Sequence, residues 1–156
     1  MTGIFYSYFK SPIGLVQIGG TASVVTSLDF VERRRGKTES HLLLDRAAKQ
    51  IAEYFAEKRQ VFDVPISYQG TDFQERVWGQ LLKVAYGKTA SYQEIARRVG
   101  SPLAVRAVGA ANGKNPISLI VPCHRIIGSN GTLVGYGGGL WRKEWLLKHE
   151  GCQFRD

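Results

Sequence analysis

Apolar residues come in short runs through the first third of the chain and then take up a helical spacing. The runs "IFYSYF", "GLVQIGG" and "SVVTSLDFV" are rich in β-branched and aromatic residues. Ser-Pro and Gly-Gly punctuate them, which predicts a small antiparallel meander. In "HLLLDRAAKQIAEYFAEKR" the spacing becomes helical. Leu44, Ala47, Ala48, Ile51, Tyr54 and Phe55 recur at three and four, giving one buried stripe. His41, near its start, reads as a surface residue, and "ERRRGKTE" before it reads as a solvated loop.

Around "VPISYQGTDFQ" the chain crosses an expected domain boundary, with an α/β domain over 1–70 and a second domain over 71–156. Thr71 with Gln74 forms a capping box and opens a helix that buries Phe73, Trp78, Val77 and Leu81. Ser91 with Glu94 is a second box, followed by Tyr92, Ile95, Ala96 and Val99 on one face. Gly100 stops that helix, and Ser101-Pro102 is expected to start the next at once. Two short helices across a tight turn are the helix-turn-helix pattern. In "PLAVRAVGAANG" small residues surround one large cation, Arg106. Such a bald surface suits close helix packing or the approach of a DNA backbone, and the pattern alone leaves both open.

The run "ISLIV" has the length and β-branching of a buried strand, ended by Pro122. Cys123 is expected at its lip, partly accessible, with His124 and Arg125 alongside. A cysteine is ordinarily a small core hydrophobe. Positive neighbours change that reading, because they lower a thiol pKa from about 8.5 and favour the thiolate. Adjacent side chains on an extended segment face opposite ways, so proton transfer needs a turn after Pro122 or a bridging water. A reactive histidine also needs a carboxylate to fix its tautomer. The helix "GLWRKEWLLKHEG" offers Glu144 and Glu150, between which spacing does not choose. In "GSNGTLVGYGGG", Ser129-Asn130-Gly131 reads as a hairpin turn. Tyr136 among glycines reads as a linker or as backbone that comes close to something flat.

Composition narrows the setting. The 156 residues are 44% hydrophobic and 22% charged, ordinary for a soluble globular protein. No apolar run approaches the roughly 20 residues needed to span a bilayer. The N-terminus lacks a signal-peptide pattern, so a cytoplasmic location is expected. Two cysteines and three scattered histidines give no metal spacing, and no metal or cofactor is expected. The net charge is +8. Residues 1–70 carry nine basic and seven acidic side chains, and residues 71–156 twelve and six. The basic excess lies in the half that holds the Cys-His pair, which points to a polyanionic partner.

"PCHR" (Pro122 to Arg125), Asn115-Pro116, "SYQEIA", "RAVGAA" and "GGLWRKEWLLKHEG" stand in the order and spacing of one family. The chain from about Thr71 to Gly151 resembles the O6-alkylguanine-DNA alkyltransferases, also called methylated-DNA–protein-cysteine methyltransferases. The first 70 residues match that family's N-terminal domain in size and element order. The resemblance implies an α+β fold, with a small ribonuclease-H-like sheet-and-helix domain and a mainly helical domain carrying the helix-turn-helix.

It also implies single-turnover DNA repair, with the alkyl group of O6-alkylguanine, and of O4-alkylthymine, moved to Cys123. His124 would take the thiol proton through a water, Glu150 would orient His124, and Tyr92 would donate toward guanine N3. Asn115 would brace the active-site turn. Arg106 would fill the stack left by the flipped base, with Ser91, Arg97, Ala107, Gly109 and Arg125 also at the DNA. Val121, Tyr136, Gly137 and Gly138 would line the pocket, with Gly137 where some members carry Ser. The implied partner is double-stranded DNA containing alkylated guanine, bound by a monomer in the minor groove. Two other readings differ in a visible feature. A module that only flags lesions would lack the cysteine, which is present here. A cysteine hydrolase would want an oxyanion hole, to which nothing in the sequence points.

Overall fold

A computed structural model describes residues 3–34 and 41–155. Most of "ERRRGKTE" lies outside these residues. The chain forms two compact units, Met1–Tyr68 and Gln69–Asp156.

In the first unit, β1 (Phe5–Ser11), β2 (Gly14–Gly20) and β3 (Val25–Val31) form an antiparallel sheet in the order β1-β2-β3. The meander expected from the β-branched and aromatic runs is therefore present. Helix α1 (Leu42–Phe55) lays Leu44, Ala47, Ile51, Tyr54 and Phe55 against it, where Val16, Ile18, Val25 and Leu28 are buried. Each such aliphatic side chain stabilises the fold by about 1.5–3 kcal/mol through the area it withdraws from water. His41 has more to do than the sequence indicated. It is the N-cap of α1, where Nδ1 accepts from the Leu43 amide, and its ring stacks on Phe5 at 5.2 Å. After α1 the chain returns beside β3, with Val25 N donating to Pro65 O and Ser67 N to Val25 O.

The second unit begins with α2 (Asp72–Leu81), opened by the complete Thr71–Gln74 capping box. Its Val77, Trp78 and Leu81 are buried, and the Trp78 indole N–H donates to Ala111 O at 2.8 Å. β4 (Ala90–Ser91) leads directly into α3 (Tyr92–Arg98), opened by the complete Ser91–Glu94 box. Gly100, at φ 77°, makes the sharp stop that a side chain would strain. The next helix, α4, spans Val105–Gly113 and has Ala104 as N-cap with no side-chain bond. It starts three residues after the expected Pro102, because Ala104 N closes a turn onto Ser101 O before the helix proper. α3 and α4 pack together as the expected helix-turn-helix, and Arg76 of α2 donates to Val99 O at the end of α3.

The strand expected over "ISLIV" does not form. Residues 117–121 make a tight turn, with Val121 N donating to Ile117 O and Leu119 at φ 69°. Asn115 imposes it: Oδ1 accepts from Ile117 N at 3.0 Å, and Nδ2 donates to Val121 O at 2.7 Å. Cys123–Arg125 form one 3-10 turn, and β5 (Ile126–Ile127) pairs in parallel with β4. The turn at Gly131 (φ 85°) is present but closes no hairpin, since β5 pairs with β4 and Thr132 bridges to Arg155. Helix α5 (Leu140–His149) ends at Glu150.

Candidate active site

The nucleophile candidate stands where the Asn115 turn hands over to the 3-10 turn. That short helix rotates successive residues by about 120°, so Cys123, His124 and Arg125 leave the backbone in three directions. It supplies the turn after Pro122 that a Cys-His pair requires. The C-cap of α5 brings Glu150 to the same place. His124 Nε2 lies 2.7 Å from Glu150 Oε2, and Arg125 Nε donates to Oε1 at 2.7 Å. Glu144 pairs instead with Lys148, on a half-exposed face. Geometry thus selects between the two glutamates.

The electrostatics follow. Burial would raise the Glu150 carboxyl, but the contacts from His124 and Arg125 outweigh it and hold the group far below its ordinary range. An ionised Glu150 accepts only, so Nε2 carries the proton and Nδ1 is the basic nitrogen. Nδ1 is buried with no hydrogen-bond partner. Burial also lowers the His124 pKa against the pull of Glu150, leaving a neutral imidazole ready to accept a proton.

Cys123 is only 5% exposed. Burial pushes its thiol up, opposed by Asn115 and the charge of Lys143. This corrects the expectation of a partly accessible, low-pKa thiol. Arg125 does not activate the sulfur, because its charge is spent on Glu150 and its Nη1 donates to Val84 O at 2.7 Å.

Tyr92, the first residue of α3, donates to Val134 O at 2.7 Å. Burial raises its pKa to about 12. The loop after β5 carries Tyr136, half-buried with its hydroxyl enclosed. Gly137 is exposed and Gly138 half-buried, and Gly138 O accepts from Arg142 at 2.6 Å. On the helix-turn-helix, Arg106, Ala107 and Arg97 are exposed and Gly109 half-exposed.

Three expected site residues are placed otherwise. Arg125 is buried in its ion pair and offers nothing to DNA. The Ser91 hydroxyl is used inside the helix cap, accepting from Glu94 N at 3.0 Å, and the residue is buried. The Val121 side chain is fully buried, and its carbonyl already accepts from Asn115 and from Cys123 N, so it presents no pocket wall.

Two residues at the site escaped the sequence reading. Lys143 is fully buried, and its Nζ donates to Tyr92 Oη at 3.3 Å, Gly135 O at 3.2 Å and Val134 O at 3.4 Å. Burial lowers its pKa to about 8. Asn112 is also buried and donates to Cys123 O at 3.3 Å. The signal existed in both cases: a polar residue inside an apolar stripe, Lys143 with Leu146 and Leu147, Asn112 with Val108 and Ala111. Among the described residues no group of His, Cys, Asp and Glu is arranged to hold a metal ion.

Comparison with known proteins is consistent along the whole chain. Residues 72–152 match the family model described as 6-O-methylguanine DNA methyltransferase, DNA binding domain. Residues 4–68 match that of its ribonuclease-like domain. A methylated-DNA–protein-cysteine methyltransferase of Mycobacterium tuberculosis is 48% identical over 152 residues, covering 94% of this chain and 92% of that protein. One from Methanosarcina acetivorans is 42% identical, covering 95% and 99%. Among solved structures, that of Mycobacterium tuberculosis OGT in complex with DNA superposes with a TM-score of 0.88 at 48% identity, covering 94% of this chain and 92% of that one.

Proposed function

The chain belongs to the methylated-DNA–protein-cysteine methyltransferases, and from that premise we propose how its own residues divide the work of alkyl transfer. The reaction is direct repair: an alkyl group leaves O6 of guanine in DNA and stays on a cysteine of the protein. That cysteine is Cys123. The observation that carries the assignment is the buried His124–Glu150 pair, whose remaining basic nitrogen belongs to the residue beside the thiol.

An O6 substituent inside the duplex is out of reach of a buried sulfur, so the base must be extruded. The exposed Arg106 on α4 occupies the gap in the stack, and the small residues Ala107 and Gly109 let the minor-groove wall come close. That groove carries little sequence information, which suits a protein that scans any DNA. A water relays the Cys123 proton to His124 Nδ1. The thiolate then attacks the alkyl carbon, the S–C bond forms as the C–O bond breaks, and the electron pair passes into the purine. Tyr92 delivers its proton to N3, so neutral guanine departs. Lys143, in contact with Tyr92 Oη, stabilises the phenolate until solvent returns its proton and discharges the imidazolium. The thioether is stable, and the protein is spent after one event.

The test is a count. With a duplex containing O6-methylguanine in excess, repaired lesions should plateau at one per protein, and Cys123→Ser should bind the lesion without repairing any. Repair beyond one equivalent, or repair by Cys123→Ser, contradicts the assignment. Tight lesion binding by the unaltered chain with no repair would instead make it a lesion-flagging module.

A further inference from the structure

Leu103 stands against the chemistry of the surface around it. It occupies the turn between α3 and α4 and is 99% exposed, more than any other large apolar side chain among the described residues. Its neighbours along the chain, Pro102, Arg106 and Ala107, are exposed as well, and so is Arg97 on the last turn of α3. The fold therefore gains nothing from burying this leucine, although the cationic face presents it to whatever docks there.

The turn that carries it is braced. Gly100 N donates to Arg97 O, Ser101 N to Ala96 O and Ala104 N to Ser101 O. The side-chain amide of Gln93, on α3, donates to Pro102 O at 2.9 Å. Pro102 fixes its own φ just before the leucine. A side chain held on so firm a backbone loses little freedom when a partner covers it, so most of its apolar contact is realised as affinity.

Charge and groove chemistry identify the partner. Arg97 and Arg106 flank the turn, and the second unit carries the basic excess, which draws a polyanion. On duplex DNA, phosphates take cations and base edges take hydrogen-bonding groups, while the thymine methyl lies in the major groove. What the minor groove offers a leucine is the C–H surface of its deoxyribose walls.

We propose that Leu103 packs against the deoxyribose wall of the minor groove, beside the step that Arg106 enters, and supplies a share of duplex affinity that salt does not weaken. This contact rests on the DNA-binding part of the reading above and is independent of alkyl transfer. Each Lys or Arg placed on a phosphate releases condensed counterions, and an apolar contact releases none. Leu103 thus holds damaged and undamaged duplex alike, without reading sequence.

The experiment follows binding of an undamaged duplex by fluorescence anisotropy across a range of salt concentrations, for the unaltered protein and for Leu103→Ala. The variant should bind about tenfold more weakly at every salt concentration, with the same slope of log affinity against log salt. Its unfolding temperature should match that of the unaltered protein, because the side chain is almost wholly exposed. Affinity within about twofold of the unaltered protein overturns the proposal. A loss accompanied by a changed slope also overturns it, since that marks a displaced cation rather than a missing apolar contact. Sedimentation without DNA examines the other occupant, a second copy of this chain. A dimer abolished by Leu103→Ala, with duplex affinity unchanged, would assign the leucine to self-association and overturn its role at DNA. No duplex binding by the unaltered protein would defeat the DNA-binding reading itself, and is distinguishable from equal binding by the two proteins.

Discussion

Glu150 holds two cationic or protonated partners with one carboxylate, and most of the site's energetics run through it. Its folded pKa lies below the ordinary value of 4.5, so the stability it contributes is complete above about pH 4.5 and is lost as the pH falls through the folded value. Glu150→Gln leaves Arg125 buried without its counter-charge, and should cost about 3–5 kcal/mol in denaturant unfolding. The acid limb of the stability curve should flatten in the same variant. Lys143 works in the opposite direction on the thiol, lowering a pKa that burial has raised. Lys143→Met should therefore move the pH midpoint for alkylation of Cys123 by iodoacetamide upward; an unmoved midpoint would remove Lys143 from the electrostatics of the sulfur. Residue chemistry was legible in the sequence where it was local, as in the Cys-His adjacency. It was illegible where burial decides it. Basic neighbours suggested an acidic thiol, but enclosure of the sulfur and the commitment of Arg125 to Glu150 reverse the sign.

Among the elements, both capping boxes could be read directly, because each is a bond between residues three apart. Ser91→Ala should lower stability by about 1 kcal/mol through loss of the α3 cap, without a DNA-specific defect, which thermal unfolding and duplex binding together check. The "ISLIV" segment was illegible for the opposite reason. A short β-branched run does not by itself distinguish a strand from a turn. What decides here is the Asn115 side chain, bonded to Ile117 and Val121. On α4 the exposed Arg106 leads to a split outcome. Arg106→Ala should slow repair of a duplex about tenfold or more while leaving reaction with free O6-benzylguanine nearly unchanged, because only the duplex needs its stack filled. Equal losses on both substrates would refute that role.

At the scale of the molecule, the basic excess lies in the half that carries α3, α4 and Cys123. The logarithm of the DNA affinity should fall linearly with the logarithm of salt concentration, and Arg97→Ala, on the exposed last turn of α3, should reduce that slope by about one. The chain divides at Tyr68–Gln69, within the "VPISYQGTDFQ" stretch where a boundary is expected, and the Ser91–Glu94 box with the Gly100 stop made the helix-turn-helix readable. The convergence of α5 with the Cys123 turn was not, since no local pattern encodes a contact between residues 124 and 150. Everything functional rests on where the alkyl group ends up. The most direct measurement is peptide mass spectrometry after incubation with a duplex containing O6-methylguanine. One methyl group on the peptide carrying Cys123, with Cys152 unmodified, is the predicted result. A methyl group elsewhere, or an unmodified Cys123 alongside repaired DNA, would contradict the account.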